Sequence, residues 1–86
     1  MAVKVIDFND KVKRTVEKTY TEGTDTVKYE VEHCLTSFAA DGSSDITAMN
    51  AQGSVYLDYP AGSTVIEVTS KKLYMLNASE TEYKEL

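Results

Sequence analysis

The side chains able to do chemistry are few and scattered. Cys34 is the only cysteine and His33 the only histidine, and as immediate neighbours they suggest a thiolate nucleophile beside its base. Adjacent residues diverge on a helix and point to opposite faces on a strand, so the two do not act on one reacting atom. Nor do one His and one Cys make a zinc site, which takes four ligands. We read Cys34 as a small apolar core residue and His33 as a partly exposed side chain. A lone thiol also leaves no disulfide within the chain. Asp41 and Asp45 bracket Gly42-Ser43-Ser44 like a fragment of a calcium loop. The alternating oxygen ligands and closing glutamate of that motif are missing. Glu30/Glu32 and Glu80/Glu82 read as surface acids. The four glycines stand singly, so no loop is built to cradle a phosphate. We therefore expect no catalytic residue, no cofactor and no metal: a protein that is not an enzyme.

The tyrosines are more informative. Of six, Tyr56, Tyr59, Tyr74 and Tyr83 fall in the C-terminal half. Tyrosine pairs a large apolar body with a polar tip and is favoured at protein interfaces. These four are the candidate interface residues. The alternative is that their rings complete a thin core.

The elements that must position them are clearest near the C-terminus. Val65 to Val68 and Leu73 to Leu76 are β-branched, aromatic and aliphatic runs flanking the polar break Ser70-Lys71-Lys72, and a third run spans Glu82 to Leu86. That is a three-stranded β-meander. Val55-Tyr56-Leu57-Asp58-Tyr59 reads as a strand before it, with Pro60-Ala61-Gly62 as the turn between. Gly42-Ser43-Ser44-Asp45 reads as a loop. Ile46 to Gln52 is either an extended connector or one helical turn anchoring Ile46 and Met49.

The N-terminal half supports two readings. Phe8, Val12, Val16 and Tyr20 recur every fourth residue, as on a helix over 9–20 capped by Asn9 or Asp10. Val27, Val31, Cys34, Leu35 and Phe38 make one continuous helical face over 25–40. Against this, Val16, Lys18, Tyr20 and then Val27, Tyr29, Val31 alternate with period two on either side of Gly23, in a Thr/Val-rich stretch suited to strands. That pattern is a long hairpin from about Val12 to Leu35. We favour the helices, because Cys34, Leu35 and Phe38 continue only a helical face. The expected fold is α+β: two short N-terminal helices, then a small antiparallel meander, with a mostly β chain carrying an N-terminal hairpin as the alternative. All 86 residues form one domain: a mainly helical half over 1–41, a connector over 42–54 and the meander over 55–86.

Charge is unevenly placed within a net −5. Residues 1–20 hold five basic groups against three acidic ones, and residues 21–86 four against eleven. An acidic body disfavours nucleic-acid binding, which needs clustered Lys and Arg. The opposite polarity of the two parts favours packing between copies. Met1 to Phe8 lacks the apolar core of a secretory signal, and no uncharged stretch approaches the roughly 20 residues of a membrane span. A soluble protein of a reducing cytoplasm, or of a particle assembled there, is expected.

Gly62-Ser63-Thr64, Thr69, Tyr74 and Asn77, in that spacing, resemble the C-terminal hairpin of small proteins encoded by tailed bacteriophages and prophages. The similarity covers about residues 58–86. It departs where such sequences close with Trp, here Tyr83, and where their second turn holds Gly, here Ser70-Lys71-Lys72. The resemblance implies a virion accessory part of the head-fibre, neck or tail-associated type. Such a part binds copies of itself or larger virion proteins and is assembled in the host cytoplasm. The competing class is a small acidic inhibitor of a host defence or nucleic-acid enzyme, its carboxylates imitating a phosphate backbone.

Overall fold

The computed structural model describes residues 2–86. Its N-terminal half contains no helix. Strands β1 (Val3–Glu22) and β2 (Asp25–Ala40) form one long antiparallel hairpin. This corrects the expected two helices and the helical half over 1–41; the period-two alternation across Gly23 is the pattern that the chain follows. A short helix α1 (Ser43–Met49) comes next, then β3 (Thr64–Glu67), β4 (Lys72–Leu76) and β5 (Tyr83–Glu85). The five strands form one sheet in chain order, antiparallel throughout except for β2 against β3.

Gly23 sets the hairpin. It has φ +62°, and Glu22 and Asp25 pair across a two-residue turn. A glycine at positive φ in the first of two turn positions is the type II′ geometry, whose twist matches that of the flanking strands. A flat 20-residue strand would run about 65 Å, yet the longest dimension of the molecule is 46 Å. β1 therefore bends, and its register with β2 slips between Val5 and Asp7 and again between Asn9 and Lys13. Opposite the second slip, the inward-facing parity of β2 changes. Val31 and His33 face inward on one side of it, Thr36, Phe38 and Ala40 on the other, with Cys34 and Leu35 both half-buried between.

The segment from Asp41 to Ser63 crosses one face of the sheet to allow the parallel β2–β3 pair. It holds two further corrections to the sequence reading and decides one alternative left open there. Gly42 to Asp45, expected as a loop, is the N-cap and first turn of α1. The undecided stretch after it continues that helix and buries Ile46 and Met49. Val55–Asp58, expected as a strand, is a 3-10 turn, closed by Leu57 N–H donating to the Ser54 carbonyl at 3.1 Å and Tyr56 N–H donating to Ser54 Oγ at 3.2 Å. A nearby side-chain acceptor at the first position turns an otherwise strand-like sequence.

The core lies between this crossing segment and the covered face. Phe38, Ala40, Ile46, Met49, Val65, Leu76 and Tyr83 are buried together, with Val3, Tyr56, Leu57, Tyr59 and Tyr74 packed at the margin. Seven buried hydrophobic side chains among the described residues are a modest core for 86 residues. Phe38 is its centre, meeting the rings of Tyr56 and Tyr59 edge-on at centroid distances of 5.4 and 5.0 Å, a favoured aromatic geometry.

Candidate functional site: a protruding arm and an open sheet face

β3 pairs only with Ser37–Ala40 of β2. From Glu22 back to about Lys13, and from Asp25 to about Cys34, the hairpin is thus a two-stranded ribbon with a free edge on each side. Such ribbons are marginal in water unless something holds them. Here the holding is done at the base. The Arg14 guanidinium pairs with the Glu80 carboxylate and reaches the Asp58 carbonyl at 3.5 Å. Lys18 pairs with Asp58, whose Oδ2 is shut off from water and receives no hydrogen bond, so the ammonium is its compensation. His33 stacks on Tyr59 at a centroid distance of 4.4 Å. Glu80 also accepts the Ala61 N–H at 2.9 Å, joining the arm to the Pro60–Gly62 turn. Beyond Lys18 the arm is unsupported. Its tip carries Tyr20 and Tyr29, ring centroids 5.6 Å apart in an edge contact, with Val27 beside them. Both tyrosines are nearly half exposed, 49% and 45%.

The second surface is the sheet face away from α1. On each strand the residues alternating with the core point there. They include Ile66, Val68, Leu73, Met75 and Leu86, all exposed. No element among the described residues covers them.

The four candidate interface tyrosines lie elsewhere. Tyr83 is 2% exposed, and its hydroxyl donates to the Tyr56 carbonyl at 2.7 Å. Tyr74, half-buried, donates to Glu67 Oε2 at 3.1 Å. Tyr56 and Tyr59 pack on Phe38. All four are on the covered side and complete the thin core. Burial pushes the pKa values of the Tyr59, Tyr74 and Tyr83 phenols upward, which favours their protonated, hydrogen-donating form. The tyrosines presented to solvent, Tyr20 and Tyr29, were not singled out by sequence. The signal available was their place on one side of the Gly23 turn and the other, which matters only once the hairpin is accepted.

Asp41 and Asp45 form no cation cage. Asp45 Oδ2 accepts the N–H groups of Asp41 and Gly42 at 3.2 and 3.1 Å, and Oδ1 that of Ala2 at 3.1 Å. These bonds, led by Gly42, hold its carboxyl below the usual carboxylate range against the opposing effect of burial. The side chain is half of a capping box and ties the start of β1 to the helix. Cys34 is half-buried and free. Among the described residues no three His, Cys, Asp or Glu side chains gather as a metal site, and no helix is long and apolar enough to cross a membrane. No protein-family model, curated protein or solved structure matches this chain.

Proposed function

We propose that this chain is a non-enzymatic assembly protein, a virion accessory part of a tailed bacteriophage or prophage. It acts by binding copies of itself or a larger capsid, neck or tail protein. The observation that carries the reading is the arm. A ribbon pinned at its base by Arg14, Lys18 and His33, and projecting Tyr20, Val27 and Tyr29 past its last support, has no role in the chain's own core. Its two free edges are open to strand addition, and its tyrosines supply rigid contact area at low entropic cost.

The inhibitor reading has less behind it. Phosphate mimicry needs acids presented in open array, but Glu32, Glu17, Glu80, Asp58, Glu85 and Glu82 each stand beside a Lys or Arg.

The test is mass spectrometry of purified particles from the source phage or induced prophage. Recovery in fixed stoichiometry is expected, and its loss for the tip variant Tyr20→Ser/Tyr29→Ser. Absence from particles, with abundance in the infected cell, overturns the reading in favour of a host-directed inhibitor.

A further inference from the structure

The open sheet face has an order that its apolar character alone does not reveal. Two ranks of side chains cross all five strands. The first is Lys4, Ala39, Ile66, Leu73 and Leu86, the last aligned by its N–H donating to the Leu73 carbonyl at 2.9 Å. The second is Asp7, Ser37, Thr64, Met75 and Lys84. The second rank therefore begins with an acid on one edge strand and ends with a base on the other. Its middle member lies on β3, the central strand.

We infer that this face is a two-fold interface between two copies of the chain, in which Asp7 of each meets Lys84 of the other. The inference builds on the assembly reading and concerns a different surface from the arm. The geometry follows from the ranks. A two-fold axis running along β3 in the plane between two stacked sheets lays β1 over the partner's β5 and keeps each rank on itself. Asp7 then faces the partner's Lys84 twice over, Ala39 faces the partner's Leu73, and Ile66 meets its own copy on the axis. Asp7 forms no ion pair among the described residues, and Lys84 has only the exposed Glu82 at 3.5 Å, so both are available. Sheets stacked this way lie about 10 Å apart with strands within about 30° of parallel.

The relief of the face fits the same axis. Two clefts flank Gly62, just before β3. One, of about 450 Å³, is lined by Gly62, Met75, Asn77, Ala78, Lys84 and Leu86. The other, of about 200 Å³, lies by Asp7, Phe8, Leu35, Ser37, Gly62 and Thr64. Rotation about the axis exchanges their positions. A self-complementary patch of this kind is what a closed dimer requires.

Sedimentation equilibrium of the full chain from about 10 to 500 µM tests the interface, a range chosen for a contact below standard size. A monomer–dimer equilibrium is expected. Leu73→Glu, at an exposed position, is expected to leave the circular dichroism unchanged and the chain monomeric. Asp7→Lys and Lys84→Asp are each expected to weaken dimerisation about tenfold through two like-charge contacts, and the double variant to recover the wild-type constant. Three results would overturn the inference: a monomer at every concentration, a dimer indifferent to Leu73→Glu, or a double variant no better than the singles. A monomer that instead binds one particle protein through Leu73 assigns the face to that protein. A monomeric chain still found in particles removes this interface alone, and a dimer missing from particles removes only the virion role.

Discussion

Asn50 and Tyr83, at the end of α1 and the start of β5, are joined as two strands would be. Asn50 Oδ1 accepts the Tyr83 N–H at 2.6 Å, and Asn50 Nδ2 donates to the Tyr83 carbonyl at 3.1 Å. One amide side chain thus supplies the pairing that the outer edge of β5 lacks. Asn50→Ala leaves both main-chain groups of a buried residue without partners, a loss of about 1–3 kcal/mol. Urea denaturation should give that decrease, and hydrogen exchange should localise the faster opening to Tyr83–Glu85. Tyr83→Phe removes only the hydroxyl bond to Tyr56 and should cost about 1 kcal/mol.

Asp45 predicts a pH dependence. Its folded carboxyl is held below the ordinary 3.8 by the Gly42, Ala2 and Asp41 amides. A lowered folded value stabilises above the unfolded one and is lost as pH falls through the folded value. Thermal midpoints of the wild type should drop as pH falls below the ordinary 3.8 and through the lowered folded value. Asp45→Asn should be less stable at pH 7 and should lose this part of the acid dependence. A parallel fall in both proteins would assign the acid sensitivity to other carboxylates.

Lys71 closes the β3–β4 turn at φ +59°, in the left-handed region that costs an L side chain roughly 1–2 kcal/mol. Its side chain is exposed. Lys71→Gly relieves that strain at some entropic cost in the unfolded chain and should stabilise by about 0.5–1 kcal/mol. Denaturant midpoints of the two proteins test this; an unchanged or lower midpoint contradicts it.

The base of the arm can be tested by a double-mutant cycle on Arg14 and Glu80. Glu80 is only 19% exposed at its side chain and Arg14 35%, so the coupling should reach about 1 kcal/mol, the upper end for ion pairs near the surface. Arg14→Ala should also speed hydrogen exchange from Lys13 to Cys34 while sparing β3, β4 and β5. Uniform exchange across the chain would mean that the arm and body open as one unit.

The meander was legible because its three strands alternate cleanly between a covered and an open face, and Lys71 and Gly62 punctuate them. The N-terminal half misled for a specific reason. Phe8, Val12, Val16 and Tyr20 are spaced by four, a multiple of two as well as close to a helical turn. In β2, the parity change between His33 and Thr36 places Cys34 and Leu35 side by side in the half-buried set and puts Phe38 inside. A bend in a strand thus printed helical spacing on the sequence. The candidate tyrosines were misplaced by a related gap: which face α1 would cover is decided by the β2–β3 crossing, a long-range pairing with no local signal. The charged ends of the open face have no local signature either, because Asp7 and Lys84 align only through four successive registers.

The arrangement of β1 and β2 also bears on biosynthesis. The ribbon zips from Gly23, so its tip needs only neighbours in sequence and can close in microseconds, as soon as residue 30 or so is free. The inner half of β2 must wait: Phe38 and Ala40 find Val65 and Glu67 only after the crossing segment and β3 have been made. On a ribosome delivering about 5–20 residues per second, that interval lasts seconds. During it the nascent chain displays an arm not yet pinned by Asp58, Tyr59 and Glu80, and an unfinished apolar edge. The same order of events favours a partner that meets the arm first.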